Sequence, residues 1–147
     1  MTDAAPVVLL LSGCNLNLLG EREPEIYGTA TLADHVAAFV DELGAAGTVE
    51  HVQSNHEGVL IDAIHGARGR CAALVINPGA FTHYAWGLHD ALAAFSGPIV
   101  ELHLSNPHRR EAWRHTSVVS PVATGIIGGF GDHGYRLAAR AIKELLA

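Results

Sequence analysis

Val7 to Leu11 is an unbroken apolar run, and Ala73-Leu74-Val75-Ile76 and Ile99-Val100 repeat the pattern later, each opening onto a polar loop. Runs this short, with no polar face, suit strands covered on both sides, and such strands belong to parallel sheets flanked by helices. The segments between them supply the helices. Thr31 can cap a helix whose apolar positions Leu32, Val36, Phe39, Val40 and Leu43 fall on one stripe, ending near Gly44 or Gly47. Thr48 to Gln53 alternates as a short strand, and Ser54-Asn55-His56-Glu57 has the spacing of a capping box ahead of Leu60, Ile61 and Ile64. After the strand at Ala72 to Ile76, Trp86, Leu88, Ala91, Leu92 and Phe95 mark a third helix that stops before Gly97-Pro98. Ile99 to Leu104 is a fourth strand, Ala123 to Ile127 a fifth, and Gly134 to Leu146 a closing helix.

Five strands alternating with helices through right-handed crossovers predict a doubly wound parallel sheet of flavodoxin-like type, a three-layer α/β/α arrangement. At 147 residues and 49% hydrophobic, one domain spanning 1–147 is expected, with a disordered start over 1–6. No apolar stretch reaches the roughly 18 residues of a membrane span, and Met1 to Pro6 lacks a basic region, which predicts a cytoplasmic protein with no membrane partner. The net charge of −6 argues against a nucleic-acid surface. Cys14 and Cys71 would stand about 15 Å or more apart on neighbouring strands, too far for a disulfide.

This layout sorts the loops by sheet edge. Ser12 to Tyr27, Ser54-Asn55, Asn77 to His83, His103 to Arg114 and Gly128 to Gly134 all follow strands, and ligands of open α/β sheets bind at that edge. Ten histidines invite a metal reading, yet no pair has the His-Glu-x-x-His spacing and no cysteine pair exists, so no dedicated metal site is expected. Gly129-Phe130-Gly131-Asp132-His133-Gly134 matches a dinucleotide fingerprint letter for letter, but a following strand and a distant acid are lacking, and a tight strand-to-helix turn accounts for it. The sole lysine, Lys143, belongs to the last helix, which disfavours Schiff-base chemistry.

Two residues invite acid–base chemistry. Tyr27 sits five residues after Arg22; a nearby arginine favours phenolate over phenol, and a second cation, Arg110 or Arg114, would make that ionisation reasonable. His103 ends a strand two residues after Glu101, so both project to one side and the carboxylate could orient the imidazole. The alternatives are a surface or packing tyrosine and a buried, hydrogen-bonded histidine. Asp90 falls on a helix, where it would ordinarily be solvated.

Taken together, Asn15-Leu16-Asn17-Leu18-Leu19-Gly20, Arg22-Glu23-Pro24-Glu25-Ile26-Tyr27-Gly28, Gln53-Ser54-Asn55-His56-Glu57-Gly58, Ile76-Asn77-Pro78-Gly79-Ala80, Glu101-Leu102-His103-Leu104-Ser105-Asn106, Arg110-Glu111 and Ser120-Pro121 resemble the type II 3-dehydroquinate dehydratases over nearly the whole chain. The resemblance implies cofactor-free trans elimination of water from 3-dehydroquinate to give 3-dehydroshikimate, in the shikimate pathway or in quinate breakdown. It gives Tyr27 as base, Arg22 and Arg110 as the cations favouring its phenolate, and a mobile lid over 18–30 that carries Arg22. Asn15 would hold a water at the enolate oxygen, His103 would act as acid with Glu101 orienting it, and Asn77 would help position the leaving group. Leu104 and Ser105 would take the substrate carboxylate, and His83, Arg114 and Asp90 the ring hydroxyls. Asp90 would do so from a neighbouring subunit, in a homododecamer built as a tetramer of trimers. Where the family usually has Asn-Gly-Pro-Asn, this chain reads Ser12-Gly13-Cys14-Asn15, which removes a proline's fixed φ beside Asn15. The competing reading is a flavodoxin-like binding module, either a flavin carrier or a catalytically degenerate dehydratase; Ser12 to Gly20 lacks the serine, threonine and glycine of a flavin phosphate loop.

Overall fold

The computed structural model describes residues 4–147. Strands β1 (Val7–Ser12), β2 (Thr48–Gln53), β3 (Ala73–Asn77), β4 (Ile99–His103) and β5 (Gly125–Gly128) form one parallel sheet in the order β2-β1-β3-β4-β5. The helices are a single turn α1 (Pro24–Tyr27), then α2 (Leu32–Leu43), α3 (Glu57–Ala67), α4 (Trp86–Ala93) and α5 (Gly134–Leu146). Of the disordered start expected over 1–6, residues 1–3 lie outside the described residues; the Pro6 carbonyl already accepts from the Thr48 amide at 2.9 Å.

Alternation along the strands builds the two sides of the core. Val8, Leu10, Ala73, Val75, Val100 and Leu102 face α2 and α5, meeting Phe39, Leu43, Tyr135, Ala138 and Ile142. Leu9, Leu11, Leu74, Ile76 and Ile99 face α3 and α4, meeting Leu60, Ile64, Leu88 and Leu92. The central strand β3 is buried throughout, as its unbroken apolar sequence requires. Each large side chain buried in these layers contributes about 1.5–3 kcal/mol relative to exposure.

Thr31 caps α2 as expected, within a reciprocal box with Asp34. The capping box expected at Ser54 to Glu57 does not form. The cap position of α3 falls on His56, whose amide donates to the Ser54 hydroxyl at 2.9 Å, so the serine closes a local turn two residues earlier. Trp86 opens α4 but faces outward at 63% exposure, which leaves Leu88, Ala91 and Leu92 as its core face. Among the described residues no helix is long and apolar enough to cross a membrane.

Sheet order reverses between β1 and β3, the place where an open α/β sheet leaves a crevice at its carboxyl edge. Gly13 sits in that crevice: its amide donates to the Asn77 carbonyl at 2.8 Å, and a Cβ built on it would lie 2.0 Å from the Pro78 carbonyl oxygen. Only glycine lets the two loops approach so closely.

Candidate active site

A cleft opens at this reversal, lined by Cys14, Asn15, Arg22, Tyr27, Asn77, His83, His103, Leu104, Ser105, Arg110 and Arg114 among others. Eleven of the twelve candidate residues belong to it directly or, in the case of Glu101, through His103. The exception is Asp90, exposed on α4 and outside the cleft of its own chain. Its helix packs through Leu88, Ala91 and Leu92, which turns Asp90 away.

Tyr27 ends the turn α1 and leans partly on the α2/α5 side of the core. Arg110, 83 residues further on, donates from Nη1 to the Tyr27 hydroxyl at 2.7 Å and to Ser105 Oγ at 3.3 Å. The Arg22 guanidinium stands 4.9 Å from the Tyr27 ring centroid and that of Arg110 5.2 Å. Two guanidinium groups therefore stand against one phenol. The second cation is Arg110. Arg114 instead binds Glu111 at 2.5 Å and lies over the Trp113 ring.

Across the cleft, His103 Nε2 bonds Glu101 Oε2 at 2.6 Å, the pairing expected from their spacing on β4. Glu101 is 1% exposed and also accepts from Thr82 and Ser117, both at 2.9 Å, and from Ser120. Burial raises the Glu101 pKa, but the hydrogen bond and charge of His103 and the hydroxyls of Ser120 and Thr82 outweigh it, and the carboxyl is held below its ordinary range. With Nε2 committed to the carboxylate, Nδ1 is the ring nitrogen left to a ligand.

Asn77 is fixed at both ends of its amide: Oδ1 accepts from Gly79 N at 3.3 Å and Nδ2 donates to the hydroxyl of the buried Tyr135 at 3.3 Å. One Nδ2 hydrogen remains for the cleft. Burial pushes the Tyr135 phenol up, against the hydrogen bonds of Asn77 and Ser12. His83 is oriented by the Thr116 carbonyl at 2.7 Å, and burial lowers its pKa. Asn15 takes up a left-handed backbone, φ 66°, a conformation in which asparagine is among the few tolerated non-glycine residues. Its amide donates to Asn55 Oδ1 at 2.8 Å.

Sequence reasoning did not single out Tyr135, Thr82 or Ser117 as supports of this site. Tyr135 reads as ordinary helix core. Thr82 lies on a short 3-10 turn and Ser117 on a loop, where no periodicity marks them. Among the described residues no three histidine, cysteine, aspartate or glutamate side chains gather as a metal cluster.

An arginine-clamped tyrosine and a carboxylate-held histidine share one cleft at the switch point of a doubly wound sheet, the place where α/β enzymes bind their ligands. The family model for dehydroquinase class II matches residues 6–143. The chain belongs to the type II dehydroquinase family. It is 58% identical over 140 residues to 3-dehydroquinate dehydratase 2 of Pseudomonas aeruginosa, covering 93% of each chain. Catabolic 3-dehydroquinase 1 of Aspergillus terreus is 53% identical over 145 residues, with 94% of each covered. The structure of this chain matches the type II dehydroquinase of Propionibacterium acnes with a TM-score of 0.91 at 39% identity, covering 97% of this chain and 99% of that one.

Proposed function

We propose that this protein removes water from 3-dehydroquinate to give 3-dehydroshikimate, by trans elimination through an enolate. The observation that carries the reading is Tyr27, held by Arg110 at 2.7 Å beside Arg22, in the same cleft as the His103–Glu101 pair. The Tyr27 phenolate takes a proton from the carbon beside the ketone, and the C–H electron pair moves onto the carbonyl oxygen as an enolate. Asn15 holds a water against that oxygen. The enolate then re-forms the ketone as the C–O bond at the next carbon breaks, and His103 Nδ1 delivers the proton with which the hydroxyl leaves as water. The products are a conjugated enone, a neutral Tyr27 and a neutral His103, and a proton returned through solvent resets the pair.

Glu101 holds His103 for this step, and the free Nδ2 hydrogen of Asn77 steadies the departing group. Ser105 and the Leu104 backbone take the substrate carboxylate, with Arg110 joining that end of the cleft to Tyr27. His83 and Arg114 address ring hydroxyls. The segment 18–30, which carries Arg22 and Tyr27, acts as a lid. Asp90, pointing away from its own cleft, serves a neighbouring subunit's site in a dodecamer of four trimers. The reaction itself serves aromatic biosynthesis and quinate breakdown alike.

The test is ultraviolet absorbance of purified protein mixed with 3-dehydroquinate, following the enone, with chelator and borohydride controls. Product formation that survives both treatments is expected. Folded protein that binds the substrate and yields no enone would overturn the reading.

A further inference from the structure

We propose that Asn55, on the loop after β2, is a positioning residue that holds Asn15 in place for the reaction. This rests on the dehydratase reading of Asn15. The segment that carries Asn15 is held before it by the Gly13 amide on the Asn77 carbonyl and after it by the Leu18 amide on the Asn15 carbonyl at 3.0 Å, which leaves the Asn15 amide to be fixed from elsewhere. Cys14 has no ring to fix its φ, and Asn15 is in the left-handed region, which ordinary side chains occupy at a cost.

The restraint comes from the neighbouring loop. Asn55 Oδ1 accepts the Asn15 amide at 2.8 Å, and Gln53 Nε2 braces both parts, donating to the Gly13 carbonyl at 3.2 Å and to Asn55 Oδ1 at 3.4 Å. Asn55 is itself anchored on each side. The Ser54 amide pairs with the Ser12 carbonyl at 3.0 Å, continuing the β1–β2 register, and the His56 amide closes onto Ser54 Oγ at 2.9 Å. The Asn55 side chain therefore projects from a fixed backbone, and what it fixes is the residue at the cleft rather than the fold. It is exposed and belongs to neither side of the core. Among the described residues the Cys14 amide makes no backbone hydrogen bond, so a proline there would restrict the same segment without removing one.

The experiment measures kcat and KM for 3-dehydroquinate in the full chain and in Asn55→Ala, Cys14→Pro, the double variant and Asn15→Ala, with thermal midpoints for each. A displacement near 1 Å at a catalytic group costs on the order of 100-fold, so Asn55→Ala should lose about 10- to 100-fold in kcat with KM within about twofold. The double variant should recover most of that loss, since either restraint alone holds the segment, and the thermal midpoints should stay close to the parent. Unchanged kcat in Asn55→Ala, a loss confined to KM, or a double variant no better than the single would overturn the inference. An inactive Asn15→Ala beside a normal Asn55→Ala would sink this inference alone, whereas a fully active Asn15→Ala would remove the role of Asn15 and this inference with it.

Discussion

Replacing Gly13 by alanine tests the geometry on which the cleft depends. The added methyl would lie 2.0 Å from the Pro78 carbonyl oxygen, where ordinary contact begins near 3.4 Å. Both sides of that contact are backbone, so no side chain can swing clear, and the loops after β1 and β3 must part by more than about 1 Å. Parting them also breaks the Gly13 to Asn77 hydrogen bond of 2.8 Å. Overpacking of this kind costs about 1–3 kcal/mol and the lost bond about 1 kcal/mol, so a total of about 2–4 kcal/mol is expected, out of a typical 5–15. At about 2–4 °C per kcal/mol for a domain of this size, the thermal midpoint should fall by roughly 5–15 °C. Because the separated loops carry Asn15 and Asn77, kcat should fall about 100-fold even well below the new midpoint. Thermal melting followed by circular dichroism, with turnover measured at 15–20 °C below each midpoint, reads both effects. An alanine variant that melts with the parent and turns over at its rate would refute the claim that these loops touch.

Tyr27→Phe should lower turnover by orders of magnitude while leaving the melting profile intact, because only the hydroxyl at the Arg110 clamp is lost; near-normal activity would take the base role from Tyr27. His103→Ala should impair loss of the hydroxyl more than exchange of the hydrogen beside the ketone, and equal loss of exchange and elimination would count against a separate acid. Stability should decline as the solution is acidified. Burial lowers His35, His51 and His83, so below about pH 6.5 the unfolded chain takes up protons before the native one, and Glu101, held below its ordinary range, adds a further loss below about pH 4.5. A urea midpoint that stays flat or rises between pH 7.5 and pH 5 would contradict that sign.

The strands were legible because burial on both faces leaves a signature no helix of that length shares: β1 and β3 stand where Val7 to Leu11 and Ala73 to Ile76 place them. The Glu101–His103 pair was legible for a related reason, since period-two alternation puts both side chains on one side of β4. Contacts made across long separations were not. Nothing in Tyr135 distinguishes a residue that braces Asn77, 58 positions away, from one that merely fills the core. The Ser54 motif was misread because a serine ahead of a helix makes either a cap or a local turn, and the β1–β2 pairing at Ser12 selects the turn. Likewise the Tyr27 spacing called for a second cation without deciding between Arg110 and Arg114; the structure puts Arg110 on the Tyr27 hydroxyl, while Glu111, near both arginines, hydrogen-bonds Arg114.

The clamp between Arg110 and Tyr27 joins an early loop to a late one. Between them lie α2, β2, α3, β3, α4 and β4, with β3 standing between β1 and β4 in the sheet. During synthesis, then, Tyr27 emerges long before Arg110, and a fragment ending ahead of residue 110 would lack the clamp however well its first strands pair. On the dehydratase reading, a refolding experiment would then find activity returning no sooner than the pairing of the later strands. On that reading, turnover would report on the completed sheet rather than on its first strands.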